Sequence, residues 1–253
     1  MFFDLQKASM LKRLAAWIFD LIMLAIIVVG LLAFNTAVFG FEYHSAKLQE
    51  VYDRYEAQYG VNFELSLEEL QALPEDKIAV YEEADKALSQ DKQFQELYSK
   101  VLSVGLMSLS LSILIGYVLM EFLVPLLFGN GQTAGKKIFS IALMRTDGVK
   151  VTPFMVFARS ILGKCTIETM IPVLLIVMIF FGIAGFGALL ILGLILLLQV
   201  ILIWKTKNNS AIHDLMAYTV VVDMTSQMIF ESEEHRLEYQ KRLEEENAQH
   251  QSE

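Results

Sequence analysis

The sequence predicts an all-α membrane protein with about four transmembrane helices, an extracytoplasmic helical insert and a small cytoplasmic β-hairpin or sheet. Three observations carry that expectation. Apolar residues make up 55% of the 253-residue chain, and the mean hydropathy is +0.48, far above what a water-facing surface tolerates. The apolar residues fall in long runs, each at or beyond the roughly 20 residues that cross a ~30 Å hydrocarbon core. The acidic excess, a net charge of −9, is concentrated in two polar blocks, residues 42–100 and 231–253. That distribution argues against a nucleic-acid partner, which would require a basic stripe.

Residues 1–40 hold the N-terminus and the first span, whose apolar run covers residues 14–39. Asp20 interrupts the run and no small-residue cleavage site closes it, so it is read as a retained span and not as a signal peptide. Residues 41–100 form the acidic insert. Leu48, Val51, Tyr52, Tyr55 and Tyr59 recur at helical spacing, and Ser66-Leu67-Glu68-Glu69 has the form of a capping box. After Pro74, Ile78, Tyr81, Leu88, Phe94 and Leu97 predict an amphipathic helix that runs straight into the second span, residues 101–128. The insert's acidic residues, among them Glu68, Glu69, Glu82, Glu83 and Asp85, read as a solvated face with no site.

Residues 129–168 comprise a glycine-rich loop, a hairpin and an amphipathic segment. The hairpin joins residues 138–144 to 149–152 through Asp147-Gly148, a dipeptide that accepts positive φ. The apolar run 169–204 would be about 54 Å long as one straight helix, too long for one span. Two helices are therefore expected within 169–205, broken at Phe181-Gly182-Ile183-Ala184-Gly185-Phe186-Gly187. Residues 206–224 carry His213-Asp214 and a valine-rich segment, 218–223, that can add a third strand to the hairpin. Residues 225–253 form a charged tail, read as an exposed helix or disordered, with only weak coiled-coil character through Leu237 and Leu243. Lys7, Lys12 and Arg13, then Lys136, Lys137, Arg145 and Lys150, then Lys205 and Lys207 all fall on one side of a four-span topology. Basic residues concentrate on the cytoplasmic side, so both termini are expected there.

Ionisable residues at membrane depth cost a few kcal/mol or more and are functional hypotheses by default. Asp20 and Glu121 sit at similar depth from one surface, and two facing carboxyl groups would raise each other's proton affinity. Arg13 lies seven residues before Asp20, about two turns away, so the two are not expected to pair; Arg13 is expected to snorkel to the headgroups. Lys164 and Glu168, four apart, are expected to satisfy each other. That leaves Arg159 as the preferred partner of Asp20 or Glu121, while Asp214 is expected to cap an element or reach a basic residue. A structural ion-pair network and a cation or proton pathway are equally consistent with these five residues, Arg13, Asp20, Glu121, Arg159 and Asp214.

No enzyme chemistry, cofactor or metal is expected. Gly129-Asn130-Gly131-Gln132-Thr133-Ala134-Gly135-Lys136-Lys137 superficially suggests a phosphate loop, but its glycine spacing is wrong, Lys137 occupies the place of the magnesium-binding hydroxyl, and a membrane helix precedes it. His213-Asp214 has no nucleophilic serine, and no histidine pair has ligand spacing. Cys165 is the only cysteine, which excludes an intramolecular disulfide and reads as apolar filler.

Three ordered blocks resemble the RDD family of bacterial membrane proteins: Lys12-Arg13-Leu14-Ala15-Ala16-Trp17-Ile18-Phe19-Asp20, then Gly131-Gln132-Thr133-Ala134-Gly135-Lys136-Lys137, then His213-Asp214-Leu215-Met216-Ala217-Tyr218-Thr219-Val220-Val221. The family takes its name from an arginine at the start of the first membrane helix, an aspartate within it and a further aspartate, which match Arg13, Asp20 and Asp214. Glu121 and Arg159 also fit its pattern. The long insert and the tail beyond Asp223 depart from it and suggest a subfamily with its own partner. The resemblance implies a multi-pass protein of the bacterial plasma membrane with a role in transport. The expected partners are the lipid bilayer, a proton or monovalent cation, and a second copy or another protein. A non-transporting accessory or scaffold protein, recruiting its partner through the insert or tail, is the alternative.

Overall fold

The computed structural model describes residues 5–180, 182, 185–206 and 208–250. They form two compact units, one of residues Ile26–Gly116 and the other of Met1–Ala25 with Tyr117–Glu253. Helix α1, Met10–Val38, is apolar on all sides. Only 6% of its most apolar window is buried by protein, so its solvent must be lipid.

In the first unit, α1 is followed by α2 (Phe41–Tyr59), α3 (Leu67–Gln71), α4 (Glu75–Gln90) and α5 (Lys92–Val118). Gly40 and Gly60, both in left-handed backbone, close the two ends of α2. The expected capping box is present: Ser66 accepts from the Glu69 backbone N–H while Glu69 accepts from that of Ser66. Helix α2 packs on α4, where the buried residues are Leu48 and Val51 from α2 and Ala84 and Leu88 from α4. Rings of Tyr52, Phe63, Tyr81 and Phe94 meet edge-on or tilted around this seam. Phe94 and Leu97 do run straight into the second span, but Ile78, Tyr81 and Leu88 belong to a separate helix. Asp91 makes the break, leaving helical geometry and accepting from the N–H groups of Gln93 and Phe94.

Within the apolar parts of α1 and α5, Asn35 donates to the Ser112 hydroxyl at 2.9 Å, and Ser112 donates to the Ser108 carbonyl. This is the polar clasp of that unit, and all three residues are buried.

In the second unit a π-helical turn, Leu119–Leu123, joins α5 to α6 (Val124–Phe128). Next come α7 (Ala134–Ile138), strand β1 (Ile141–Arg145) and α8 (Pro153–Phe157). A π-helical segment, Ala158–Met170, then precedes α9 (Ile171–Phe180) and α10 (Phe186–Lys205). Helix α11 (Ile212–Met216), strand β2 (Thr219–Asp223) and α12 (Glu233–His250) complete it. Gly182 has left-handed backbone; residues 181, 183 and 184 of the expected glycine turn lie outside the described residues, as does Lys207.

The sheet differs from the expected hairpin. Its two strands are β1 and β2, antiparallel, with Leu143 opposite Val221. The Asp147-Gly148 turn forms, with Arg145 accepting from Gly148 and donating to Val149, but its returning arm contributes only a Met144 to Lys150 bridge. The arm is diverted because Val149 and Lys150 pair with Phe230, and because Thr152 caps α8, whose first residue, Pro153, has no N–H to give a ladder. Residue 138 belongs to α7, not to a strand. Phe230, read as part of the charged tail, is 1% exposed and stands in the core; the tail's helix begins at Glu233. One face of the sheet packs Ile141, Leu143 and Val221 with Ala8 and Ala16, and the other packs Met144, Val220 and Val222.

Three helices are long and apolar enough to cross a bilayer: Met10–Val38, Lys92–Phe128 and Phe186–Lys205. Helix α9, with 10 residues, does not reach that length by itself, so four spans are not counted here.

The Asn35 clasp yields a prediction. Ser112→Ala leaves the buried Asn35 amide without its acceptor and should lower stability by about 1 kcal/mol. Ser108→Ala, whose hydroxyl has no partner among the described residues, should be close to neutral. Thermal unfolding of the two variants in the same detergent measures the difference.

Candidate functional site: a charged cavity

The site lies within the second unit, where α1, α6, α7, the sheet and both π segments meet. The glycine-rich loop positions its first part. Thr133 caps α7 by accepting from the Lys136 backbone N–H, and its own hydroxyl proton goes to Asp20 Oδ2 at 2.5 Å. The Gly135 N–H donates to Asp20 Oδ1 at 2.8 Å. The loop thus binds an oxyanion, as a helix N-terminus does, but that oxyanion is the chain's own carboxylate. Gly135 is required for this approach, since a Cβ there would stand 2.3 Å from the Ala16 carbonyl oxygen.

Asp214, 1% exposed, is the second centre. One carboxylate oxygen accepts from Arg13 at 3.2 Å and from the Ala211 N–H, which closes the first turn of α11. The other stands 2.8 Å from Arg159 Nη2. The guanidinium groups beside it, Arg159's above all, hold this carboxyl below its ordinary range despite burial. Arg159 Nη2 also meets His213 Nε2 at 2.9 Å, while His213 Nδ1 meets Glu168 at 2.8 Å. An arginine can only donate, so Nε2 must accept and Nδ1 carries the proton. Burial and Arg159 both push the imidazole pKa down, which agrees with a neutral ring. Gly163 lets α11 approach this closely; a Cβ there would lie 2.7 Å from His213 Cβ.

Glu121 is the third centre. Its carboxylate is paired with Lys164, and its backbone carbonyl, at a π turn, accepts from the Ser160 hydroxyl at 2.6 Å. Tyr117, in the last turn of α5, donates to the Ser160 carbonyl, so the Glu121–Ser160 bond between the two π segments is flanked by a second tie.

Several expected partnerships are therefore replaced. Arg159 pairs with Asp214, and neither Asp20 nor Glu121. Arg13 does not snorkel; it turns inward to Asp214 and the Asn209 carbonyl. Lys164 and Glu168 do not pair with each other, because each has a more distant partner in the fold and the intervening segment is wound as π helix. Asp20 and Glu121 do line one cavity, as their equal depth implied. Asp214 fulfils both roles left open for it. Thr133, Gly135, Lys136 and His213 are additional; the loop's resemblance to an oxyanion cradle was the available signal for the first three.

These groups surround a cavity of about 150 Å³. Arg13, Lys136, Arg159 and Lys164 supply positive charge, Asp20 and Glu121 negative charge, and Trp17, Pro125 and Val156 apolar wall. No hydrogen bond or ion pair reaches Lys136 Nζ among the described residues. Half-buried, this ammonium is pushed down to about 7, by burial first and then by Arg159 and Lys164, with Glu121 and Asp20 acting oppositely. Among the described residues no group of three or more acidic, histidine or cysteine side chains could hold a metal ion.

Three apolar helices of spanning length, two of which line a charged cavity, define a helical membrane protein. The chain belongs to the RDD family, whose model matches residues 7–218. That stretch includes every charged side chain around the cavity. No curated protein and no solved structure matches the chain.

Two outcomes test this geometry. Gly135→Ala should cost about 1–3 kcal/mol of stability, as overpacking against backbone does, whereas Gly30→Ala, whose Cβ meets nothing within 4 Å, should not; detergent melting curves compare them. Lys136 makes a pH-dependent contribution. Its pKa in the folded chain lies below that of the unfolded chain, so the folded state holds fewer protons between about 7 and the ordinary lysine range, and stability rises with pH across that window. Lys136→Met should therefore stabilise most at pH 6, with the gain shrinking towards pH 10, as read by the melting-temperature difference at each pH.

Proposed function

We propose that this chain is a small transporter or transport-associated protein of the bacterial plasma membrane, driven by a proton moving through the charged cavity. The observation that supports this is the convergence of Asp20, Glu121, Lys136, Arg159 and Lys164 on one cavity, with Asp20 and Glu121 inside helices of spanning length. Buried charge of this kind costs several kcal/mol and is retained where it has work to do. A sodium or potassium site is less well supported: Asp20 is already held by donors, Glu121 by Lys164, and cationic side chains outnumber carboxylates around the space. Lys136, unpaired among the described residues and with a pKa near neutrality, suits the proton instead.

The topology that fits this role has four spans. The fourth is the continuous helical run through α8, the π segment and α9, residues 153–180, which reaches spanning length only when these pieces are taken together. An even number of spans puts the termini on one side, and the lysines and arginines near the span ends make that side cytoplasmic. The helices α2, α3 and α4 then form an extracytoplasmic cap. One observation favours the rival reading of a non-transporting accessory protein: Asp20, Glu121 and Asp214 all find partners within the chain, as purely structural charges would.

Proteoliposomes separate the two. With membrane potential clamped, the intact protein should dissipate an imposed pH gradient, and Glu121→Gln, at matched folded levels, should lose most of that flux. Protein-independent leakage across sodium, potassium, lithium and phosphate conditions alike would support the accessory role.

A further inference from the structure

We propose that the cavity binds a small oxyanion, a carboxylate or a phosphate, between Lys136 and Arg159. This rests on the transport reading in the sense that it names what the same cavity takes. It is argued from the balance of donors and acceptors around that space.

The acceptors are largely committed. Asp20 receives Thr133 and the Gly135 N–H, one on each oxygen. Glu121 is paired with Lys164. Asp214, which is not among the lining residues, accepts from Arg13 on one oxygen and is ion-paired with Arg159 on the other, whose hydrogen-bonding capacity is otherwise unused among the described residues. The His213 ring accepts from Arg159 and faces Glu168. The donors are not exhausted. Arg159 is 6% exposed, lines the cavity, and uses only Nη2; its Nη1 is buried with no acceptor among the described residues. An orphaned guanidinium nitrogen at such depth is costly, and its unused donor capacity marks a place for an acceptor. Lys136 lines the same space, and no acceptor among the described residues reaches its ammonium. Two cationic side chains with free donor capacity line one cavity and call for an anion, and the guanidinium fork matches the geometry of a carboxylate or phosphate.

Size and walls narrow the class. A cavity of about 150 Å³ accommodates a molecule on the order of benzene in size, enough for phosphate or a short monocarboxylate and too small for a nucleotide. Trp17, Pro125 and Val156 line its apolar part, which suits a short hydrocarbon tail or the glycerol end of a headgroup.

Anion binding must also draw in a proton. Lys136 is surrounded by Arg159, Lys164, Glu121 and Asp20, with Arg13 and the neutral His213 on the same cavity. An added negative charge beside Lys136 favours its ammonium form. Binding near neutral pH is therefore accompanied by proton uptake, and one cavity links the anion to the proton.

The test uses the full-length protein in a neutral detergent, titrated with sodium phosphate or sodium acetate at constant ionic strength set by sodium chloride. Melting temperature and calorimetric heat are read together. The expected result is a saturable rise in melting temperature with one anion per chain, affinity falling at least threefold from pH 6 to pH 8.5, and proton uptake revealed by buffers of different ionisation heat. Lys136→Gln, which breaks no pair, should weaken binding about tenfold or more, the ratio for losing one charge-assisted hydrogen bond. Arg159→Lys, which keeps a charge beside Asp214, should do likewise. Bicelles containing phosphatidylglycerol distinguish the source: protection by that lipid without protection by free phosphate or acetate assigns the site to a headgroup. No saturable effect of any of the three, or an effect unchanged in Lys136→Gln, overturns the inference. Its failure beside intact proton flux leaves the transport reading standing, whereas binding without flux removes the transport reading and leaves the site.

Discussion

Asp214 meets two guanidinium groups in a place where almost no water reaches it, Arg13 from the start of α1 and Arg159 from the π segment more than fifty residues before it. Withdrawing one partner from a buried pair typically costs 3–5 kcal/mol, because the remaining charge is stranded. The triad therefore fixes three separate stretches of chain at one point. Lys12 adds a peripheral clasp to Asp223 at the end of β2, at 2.6 Å. With α11 and β2 anchored, β1 has its partner, and the loop before β1 is brought to where Thr133 and Gly135 grip Asp20.

The two π-helical segments serve the same arrangement. Wider winding interrupts the regular carbonyl ladder and re-aims side chains, which is why such segments recur at functional sites. Here one carries Glu121 and the other Arg159, Lys164 and Glu168. The Ser160 hydroxyl donates to the Glu121 carbonyl across the two segments, and Tyr117 of α5 donates to the Ser160 carbonyl, so side chains supply hydrogen bonds to carbonyls where the regular ladder changes. Helices wound this way in the middle of a hydrophobic protein would be a liability without that compensation. Their coincidence with the charged residues ties the irregular backbone to the cavity.

How much of this was legible in the sequence depends on the range of the interaction concerned. The spanning helices and the capping box at Ser66 are properties of contiguous residues, and the chain states them directly. Arg13, Asp20, Glu121, Arg159 and Asp214 were recognisable as out-of-place charges, but not their pairings, which join residues as much as 201 apart. The i,i+4 rule misassigned Lys164 and Glu168 because it presumes α winding and solvent-exposed competition, neither of which holds in a partly buried π segment. Phe230 escaped because one aromatic residue ahead of a charged helix has no periodicity to betray it; it is buried through its pairing with the Val149 arm. The sheet was legible in part: the valine-rich 218–223 was read as an added strand and is β2, and the Asp147-Gly148 turn is real, but the returning arm at 149–152 is drawn off by Phe230 and by the start of α8.

The glycine-rich loop shows why a motif's chemistry outlasts the failure of its spacing. It lacks the residues that hold a magnesium nucleotide, and the fold places a membrane helix before it. Yet it still presents a capped helix start and close backbone approach to an oxyanion, because those depend only on Thr133 and on the missing side chain of Gly135. That oxyanion is supplied internally, by Asp20. An internal carboxylate satisfies the loop permanently, and in doing so removes Asp20 from competition for the neighbouring cations. Lys136 and Arg159 line the cavity, and nothing in the described chain accepts from the lysine ammonium or from the second guanidinium nitrogen. The latch that engages both oxygens of Asp20 is thus what leaves the cavity cationic in its unused capacity.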